Sequence, residues 1–300
     1  MTGAQTPTYD RASEDLGNIV NLGHVNFRVP DQGLATSFYM GGLGLTRDPF
    51  MMTGISNMWV NIGDSQFHLP TGPATVADGV LTGLVFPDLG ELLTRLERVR
   101  GELAGTRFDF HAVADRVEVT CPWGNRFDCY APDRQRFGPY RLLMSFVRFE
   151  VARGAAEPIA RFYREVMGAV SKYANGEARV SCGHHQTMIF AECDAPKPAC
   201  LDHHVQFYLA DFSGPYDRMK AMGLRIKESS QWQYQILSIP DMASGAEVFP
   251  LDHEIRSMTH PMFGRQLINR NPAQAIFSYA AGQDELNWRM SEPMRRDRKE

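Results

Sequence analysis

Nowhere in the 300 residues do 18 consecutive apolar residues occur, and the opening "MTGAQTPTYDRASEDLG" has no apolar stretch of the kind a secretion signal needs. A membrane span and secretion are therefore not expected, and a cytoplasmic location is. Excess basic charge is missing too: 31 Lys and Arg stand against 35 Asp and Glu, for a net charge of -4. That balance has no footprint for nucleic acid. The one basic cluster, "MRRDRKE" at the C-terminus, reads as a solvated tail. Five cysteines (Cys121, Cys129, Cys182, Cys193 and Cys200) form no Cys-x-x-Cys pair and are odd in number, which argues against a disulfide framework or a cysteine zinc site. No phosphate-binding glycine motif occurs, so no nucleotide cofactor is expected. What is present is 43% apolar and 22% charged residues, the composition of a globular protein with a sizeable core. The length favours two domains.

The stretch "LGHVNFRVP" (22 to 30) alternates Val25, Phe27 and Val29 with His24, Asn26 and Arg28, the period of a strand with two unlike faces. If the apolar face packs on a helix, the other must look at water or at an enclosed polar site. Asp31 is placed to cap a short helix carrying Leu34 and Phe38 on one face, which Gly41-Gly42 stops. Two strand-like runs follow, "MWVNIGD" and "SQFHLP".

From residue 80 the same order returns. "VLTGLVFPD" reads as a strand, Asp88-x-x-Glu91 opens a helix as a capping box, and "FDFHAVA", "RVEVTCP" and "RFDCYAP" read as strands. A third copy begins at "MSFVRFEVARGAAEPIARFYREVMGA", where Val147, Phe149 and Val151 fall on Val25, Phe27 and Val29. A fourth begins at "DHHVQFYLAD". Repetition of this kind is the strongest evidence a sequence offers about architecture. The expected fold class is α+β: four βαβββ units paired into two tandem domains, each a curved mixed sheet forming a cup with helices outside. The boundaries read as a tail at 1-17, a domain at 18-135 and a second at 139-256. Residues 257-300 form an extended arm and charged tail, expected to wrap the other domain or a neighbouring subunit.

The motifs "GHVNFRVPD…SFYMGGLGL", "DGVLTGLVFPDLGELLTRLE" and "VEVTCPWGNRFDCYAP" resemble the vicinal oxygen chelate superfamily, which includes glyoxalase I, bleomycin-resistance proteins and extradiol dioxygenases. The resemblance spans about 20 to 255. It implies a divalent metal in the cup, held by residues from the first and last strands of two paired units. With neighbouring units paired, His24, His68 and Asp128 match three of those places, and Leu81 or Thr82 stands at the fourth. Strand alternation alone also puts His68 and Asp128 opposite their apolar neighbours. Two imidazoles and a carboxylate resemble the site of non-haem Fe(II) oxygenases. Fe2+ is placed first, with Mn2+, Ni2+, Co2+ and Zn2+ compatible.

At the same places the second domain carries Phe146, Met188 or Ile189, Val205 or His204, and Phe249, so its cup is expected to be degenerate. "GHH" (183 to 185) is read as a turn, and His203-His204 as strand residues without a metal. Arg28 is a candidate to hold an anionic substrate group or to form a structural salt bridge, and Glu118 a candidate base. The leading expectation is an Fe(II)-dependent dioxygenase-like oxidoreductase on a small aromatic or enolic substrate. The alternatives are a non-redox lyase or isomerase, and a small-molecule binding protein without catalysis. The partner is a small molecule, with no nucleic acid and no membrane, and the chain is a monomer or homodimer.

Overall fold

A computed structural model describes residues 9-51, 56-198, 202-268, 271, 274-275 and 279. Cys200, Met52 and the basic cluster after residue 290 lie outside the described residues. The four units are all present. The first comprises β1 (Ile19–Asn26), α1 (Gln32–Ala35) continuing in wider turns to Gly42, β2 (Thr46–Arg47), β3 (Asn57–Ile62) and β4 (Ser65–Pro70). The second has β5 (Val80–Val85), α2 (Leu89–Val99), β6 (Asp109–Ala112), β7 (Arg116–Thr120) and β8 (Arg126–Tyr130). After a single turn, α3 (Arg134–Phe137), the third follows as β9 (Leu143–Ala152), α4 (Ala156–Glu165), β10 (Ser171–Ala174), β11 (Glu177–Gly183) and β12 (Gln186–Cys193). The fourth is β13 (His204–Leu209), α5 (Ser213–Ala221), β14 (Ile226–Ser230), β15 (Gln233–Pro240) and β16 (Glu247–Ser257).

Local signals act as the sequence suggests. The Asp31 carboxylate accepts from the Leu34 N–H at 2.9 Å, and Asp88 accepts from Glu91 N–H at 3.0 Å, each satisfying a helix-start donor that would otherwise lack a partner. Among the described residues no helix is long and apolar enough to cross a membrane.

The units pair into two eight-stranded mixed sheets, ordered β14-β15-β16-β13-β1-β4-β3-β2 and β10-β11-β12-β9-β5-β8-β7-β6. Within every unit the first and last strands are parallel neighbours, and the units join through antiparallel first strands, β1 with β13 and β5 with β9. The fold class read from the sequence is therefore the one observed, but the partners differ from the expected ones. The first unit shares its sheet with the fourth, and the second with the third, whereas neighbouring units had been assigned to one cup. The two middle units thus form one sheet, and the outer two join across the chain to form the other.

Neighbours in sequence meet instead through their backs. Phe67 and Phe127 pack edge to face at 5.7 Å between ring centroids, and Phe27 lies against both. Gly42, at the end of the first unit's helix, approaches Val99 of α2 so closely that a Cβ would sit 3.2 Å from it. Across the other half, Tyr163 of α4 hydrogen-bonds His253 of β16 at 2.5 Å, and Phe190 packs on Phe249. Burying each such aromatic contributes roughly 1.5–3 kcal/mol.

One polar side chain ties the two sheets at their seam. Gln186, 3% exposed at the start of β12, accepts from the Leu22 N–H at 3.0 Å through Oε1. Its Nε2 donates to Ser65 Oγ at 2.8 Å and to the Met144 carbonyl at 3.1 Å. The Leu22 N–H needs this partner because β1 shifts register against β13 between Leu22 and His24. Gln186→Leu would strand these buried groups, and the expected loss is about 2–4 kcal/mol of unfolding free energy, read by urea denaturation. A loss within the noise of the measurement would show that the seam does not depend on this residue.

Candidate metal centre

Both faces of β1 are buried. Val25 and Phe27 enter the core, while His24 (1% exposed) and Asn26 (4%) face the concave side of the first sheet. The polar face of the opening strand thus looks at an enclosed site. Because β4 lies beside β1 on one side and β13 on the other, His68 and His204 arrive at His24 from opposite flanks. His24 Nε2 and His204 Nε2 are 3.0 Å apart, and one nitrogen from each of His24, His68 and His204 falls within 4.8 Å of the others.

Trp59 of β3 stacks on His68 with ring centroids 4.0 Å apart and meets His24 edge-on at 4.8 Å. Asn26 Nδ2 and His68 Nδ1 are 3.0 Å apart, so the amide sets the orientation of that ring. His68 Nε2 is buried with no hydrogen-bond partner.

Burial is the main cause that holds all three imidazoles neutral. It pushes His68 and His204 down to about 3, with Arg256 adding to the effect on His68 and with His68, His203 and Arg256 adding to it on His204. His24 lies well below its ordinary value, through burial first and then His204, Arg256 and His68. Neutral imidazoles present lone pairs, and a separation near 3 Å suits two nitrogens each about 2.1 Å from one ion. Two neutral rings could satisfy each other by one hydrogen bond, but His68 Nε2 would remain orphaned. The donor set therefore fits a metal ion.

The two units meet here with a common offset. In the first unit His24 pairs with Gln66 and His68 with Asn26; in the fourth His204 pairs with Asp252 and Glu254 with Gln206. Glu254 thus stands in the fourth unit where His68 stands in the first. Its Oε2 lies 3.8 Å from His204 Nε2, and its Oε1 meets Arg256 at 2.6 Å. Burial raises the Glu254 carboxyl, opposed by Arg256.

His24 and His68 are brought together as the sequence reading had them, and Asp128 is not. It lies on β8 in the other sheet, paired with Arg116 Nε at 3.1 Å and with the Tyr130 hydroxyl at 3.2 Å. The reason is the unit pairing, since first with fourth removes β8 from the cup of His24. Glu118 sits opposite Asp128 on β7, bonded to His111 at 2.9 Å and to Arg116. Arg28 forms an ion pair with Asp202. The concave side of the second sheet is filled from within: Phe146 occupies the space over Gly83, where a Cβ would fall 2.0 Å from its ring, and Tyr130, Phe137 and Leu143 pack around it.

Glu254 is the residue the sequence reading missed, and His204, which it had placed in the other cup, arrives here instead. The signal was the alternation in "LDHEIRS", where His253 and Ile255 enter the core and Glu254 and Arg256 take the other face. The matching place had been given to Phe249, five residues early.

A cavity of about 380 Å³ opens beside His24 and is lined by Gln206, Tyr208 and Arg256 from the fourth unit and by Met262, Phe263 and Arg265 from the arm. The arm thus wraps the first unit within the same chain. Arg265 holds it there by an ion pair with Asp48, which is 0% exposed; its Nη1 donates to Asp48 Oδ1 at 3.0 Å. Gln66 Nε2 donates to the same carboxylate at 2.5 Å and to Asn61 Oδ1 at 2.7 Å.

Comparison with solved structures shows the same fold. A "putative dioxygenase" from Bacillus subtilis superposes with a TM-score of 0.54 at 12% identity, covering 94% of this chain and 96% of that one. Glyoxalase I from Zea mays gives 0.52 at 12% identity over 79% and 92%. No protein-family model and no curated protein sequence matches. The chain has the vicinal oxygen chelate fold, as its motifs suggested.

Removing Arg265 would leave Asp48 buried without its cation, at an expected cost of about 3–5 kcal/mol for Arg265→Leu. The double variant with Asp48→Leu should lose less than the sum of the two single losses, read by denaturation in a double-mutant cycle. Additive losses would mean that the pair does not hold the arm.

Proposed function

We propose that this protein is a metal-dependent small-molecule enzyme in which His24, His68 and His204 hold a divalent ion and Glu254 completes the set. The observation that carries the reading is the convergence of three neutral imidazoles, His24 buried and the other two half-buried, with an orphaned Nε2 on His68. Three imidazoles and a carboxylate suit iron(II) first, and manganese, nickel, cobalt or zinc as well. When bound, such an ion supplies Lewis acidity and, as iron, electron transfer toward O2. The chain's own residues do the rest. With its amide turned so that Oδ1 accepts from His68 Nδ1–H, Asn26 would leave the His68 Nε2 lone pair for the ion; Arg256 holds Glu254, and Trp59 with the arm keeps bulk water from the floor of the cup.

Within that class we favour dioxygenase-like oxidation of a small aromatic or enolic compound. A glyoxalase-type isomerase or a lyase needs a carboxylate free to move a proton. Here Glu254 is engaged by Arg256 and Asp48 by Arg265, so the remaining acid lining the cavity is Asp64, exposed at its rim. Asp128 and Glu118, in the other sheet, have no part in this reading.

The test is elemental analysis of protein purified without a His-tag under argon, combined with O2 uptake. About one first-row metal per chain is expected in the wild type and in Asp128→Ala, with loss in His24→Ala, His68→Ala and His204→Ala while circular dichroism is unchanged. Full metal content in His204→Ala, or its loss in Asp128→Ala, would overturn the assignment. A metal-free wild type after anaerobic reconstitution would leave small-molecule binding without catalysis.

A further inference from the structure

The cavity beside the imidazoles holds two side chains whose hydrogen-bonding capacity the protein leaves unmet or only weakly met. Gln206 is 0% exposed and lines the cavity from β13. Neither Nε2 nor Oε1 of its amide has a hydrogen-bond partner of normal geometry. A buried amide in that state costs about 1–3 kcal/mol, and native proteins rarely leave one without a purpose. The backbone makes room for it: a Cβ on Gly23 would sit 2.0 Å from Gln206 Oε1, so a glycine is required for the amide to stand there.

Arg256, 6% exposed on β16, is the second. Its Nε donates to Gln233 Oε1 at 2.9 Å and its Nη2 faces Glu254. The other amine, Nη1, has only the thioether of Met262 at 3.2 Å and the Tyr208 hydroxyl at the long distance of 3.5 Å. Both are weak partners for a guanidinium, whose planar fork is matched by a carboxylate.

Charge points the same way. Among the buried groups at the cavity, Arg256 and Arg265 are balanced by Glu254 and Asp48. With a divalent ion among the histidines, the two arginines and the ion would carry four positive charges against the two negative ones of Glu254 and Asp48. Met262 and Phe263 from the arm, with Val20 and Leu267, supply the apolar part of the lining, and Asp64 stands exposed at its rim. We propose that this cavity takes a small organic carboxylate with an unsaturated or aromatic body, its carboxylate on Arg256 Nη1 and the Gln206 amide and its body against Met262 and Phe263. The charge argument rests on the metal reading above. The Arg256 and Gln206 argument does not.

Calorimetric titration tests this with benzoate and 2-hydroxybenzoate against benzamide and 2-hydroxybenzamide, on protein stripped with EDTA and on protein loaded with Mn(II). Each acid is expected to bind the wild type at least about tenfold more tightly than its amide, already without metal, and the gap should widen on loading. Arg256→Gln should abolish the gap, Arg256→Lys should restore part of it, and Gln206→Leu should weaken the acids about tenfold. Equal binding of acid and amide, or no binding of either acid to the wild type, overturns the proposal without requiring any variant to fold. Elemental analysis of the same samples separates the two readings. Protein that takes no metal but prefers the acids removes the metal assignment alone, and metal-loaded protein without the preference removes the carboxylate assignment alone.

Discussion

Everything at the site depends on the antiparallel pairing of β1 with β13, two strands separated by about 180 residues of chain. That pairing closes the first sheet, places His204 against His24, and sets Gln206 beside Gly23. It also carries the offset by which Glu254 answers His68. Hydrogen bonds of a single ladder thus determine whether these dispersed side chains meet. The seam residue Gln186 matters for the same reason, since it holds the irregular segment of β1 from which His24 projects.

The same architecture is used twice with opposite outcomes. In the first sheet small or flat groups, Gly23 and the imidazoles, keep the concave side open and polar. In the second, the glycine at 83 admits the ring of Phe146, and the aromatic cluster with Tyr130 and Phe137 closes it. There Asp128 is paired with Arg116 and accepts a hydrogen bond from Tyr130. One half stabilises and the other is free to carry groups that burial makes costly.

Much of this was legible in the order of residues because it is local. The alternation around His24, the caps at Asp31 and Asp88, and the fourfold recurrence of strand, helix and strands all act within a few turns of chain. His24 and His68 were found because both lie in one unit. Which unit meets which is a long-range matter, and periodicity says nothing about it, so Asp128 was assigned in place of His204. Glu254 was hidden by the length of β16, whose pairing with β15 shifts register twice before reaching it. The arm's destination was unreadable for a similar reason, because Arg265 finds Asp48 across 217 positions.

The nesting of the outer units around the inner ones has a consequence for how the chain acquires its shape during synthesis. The second and third units are consecutive, so their shared sheet can assemble as soon as β12 has left the ribosome. β1 emerges first of all and must wait for β13, with its hydrogen-bonding edge unpaired, while more than half of the protein is made. Such late, long-range pairing is the slow class of folding event. A chain arrested before residue 204 would contain a complete, filled sheet and an unmated strand edge, a species more prone to aggregation than the finished protein.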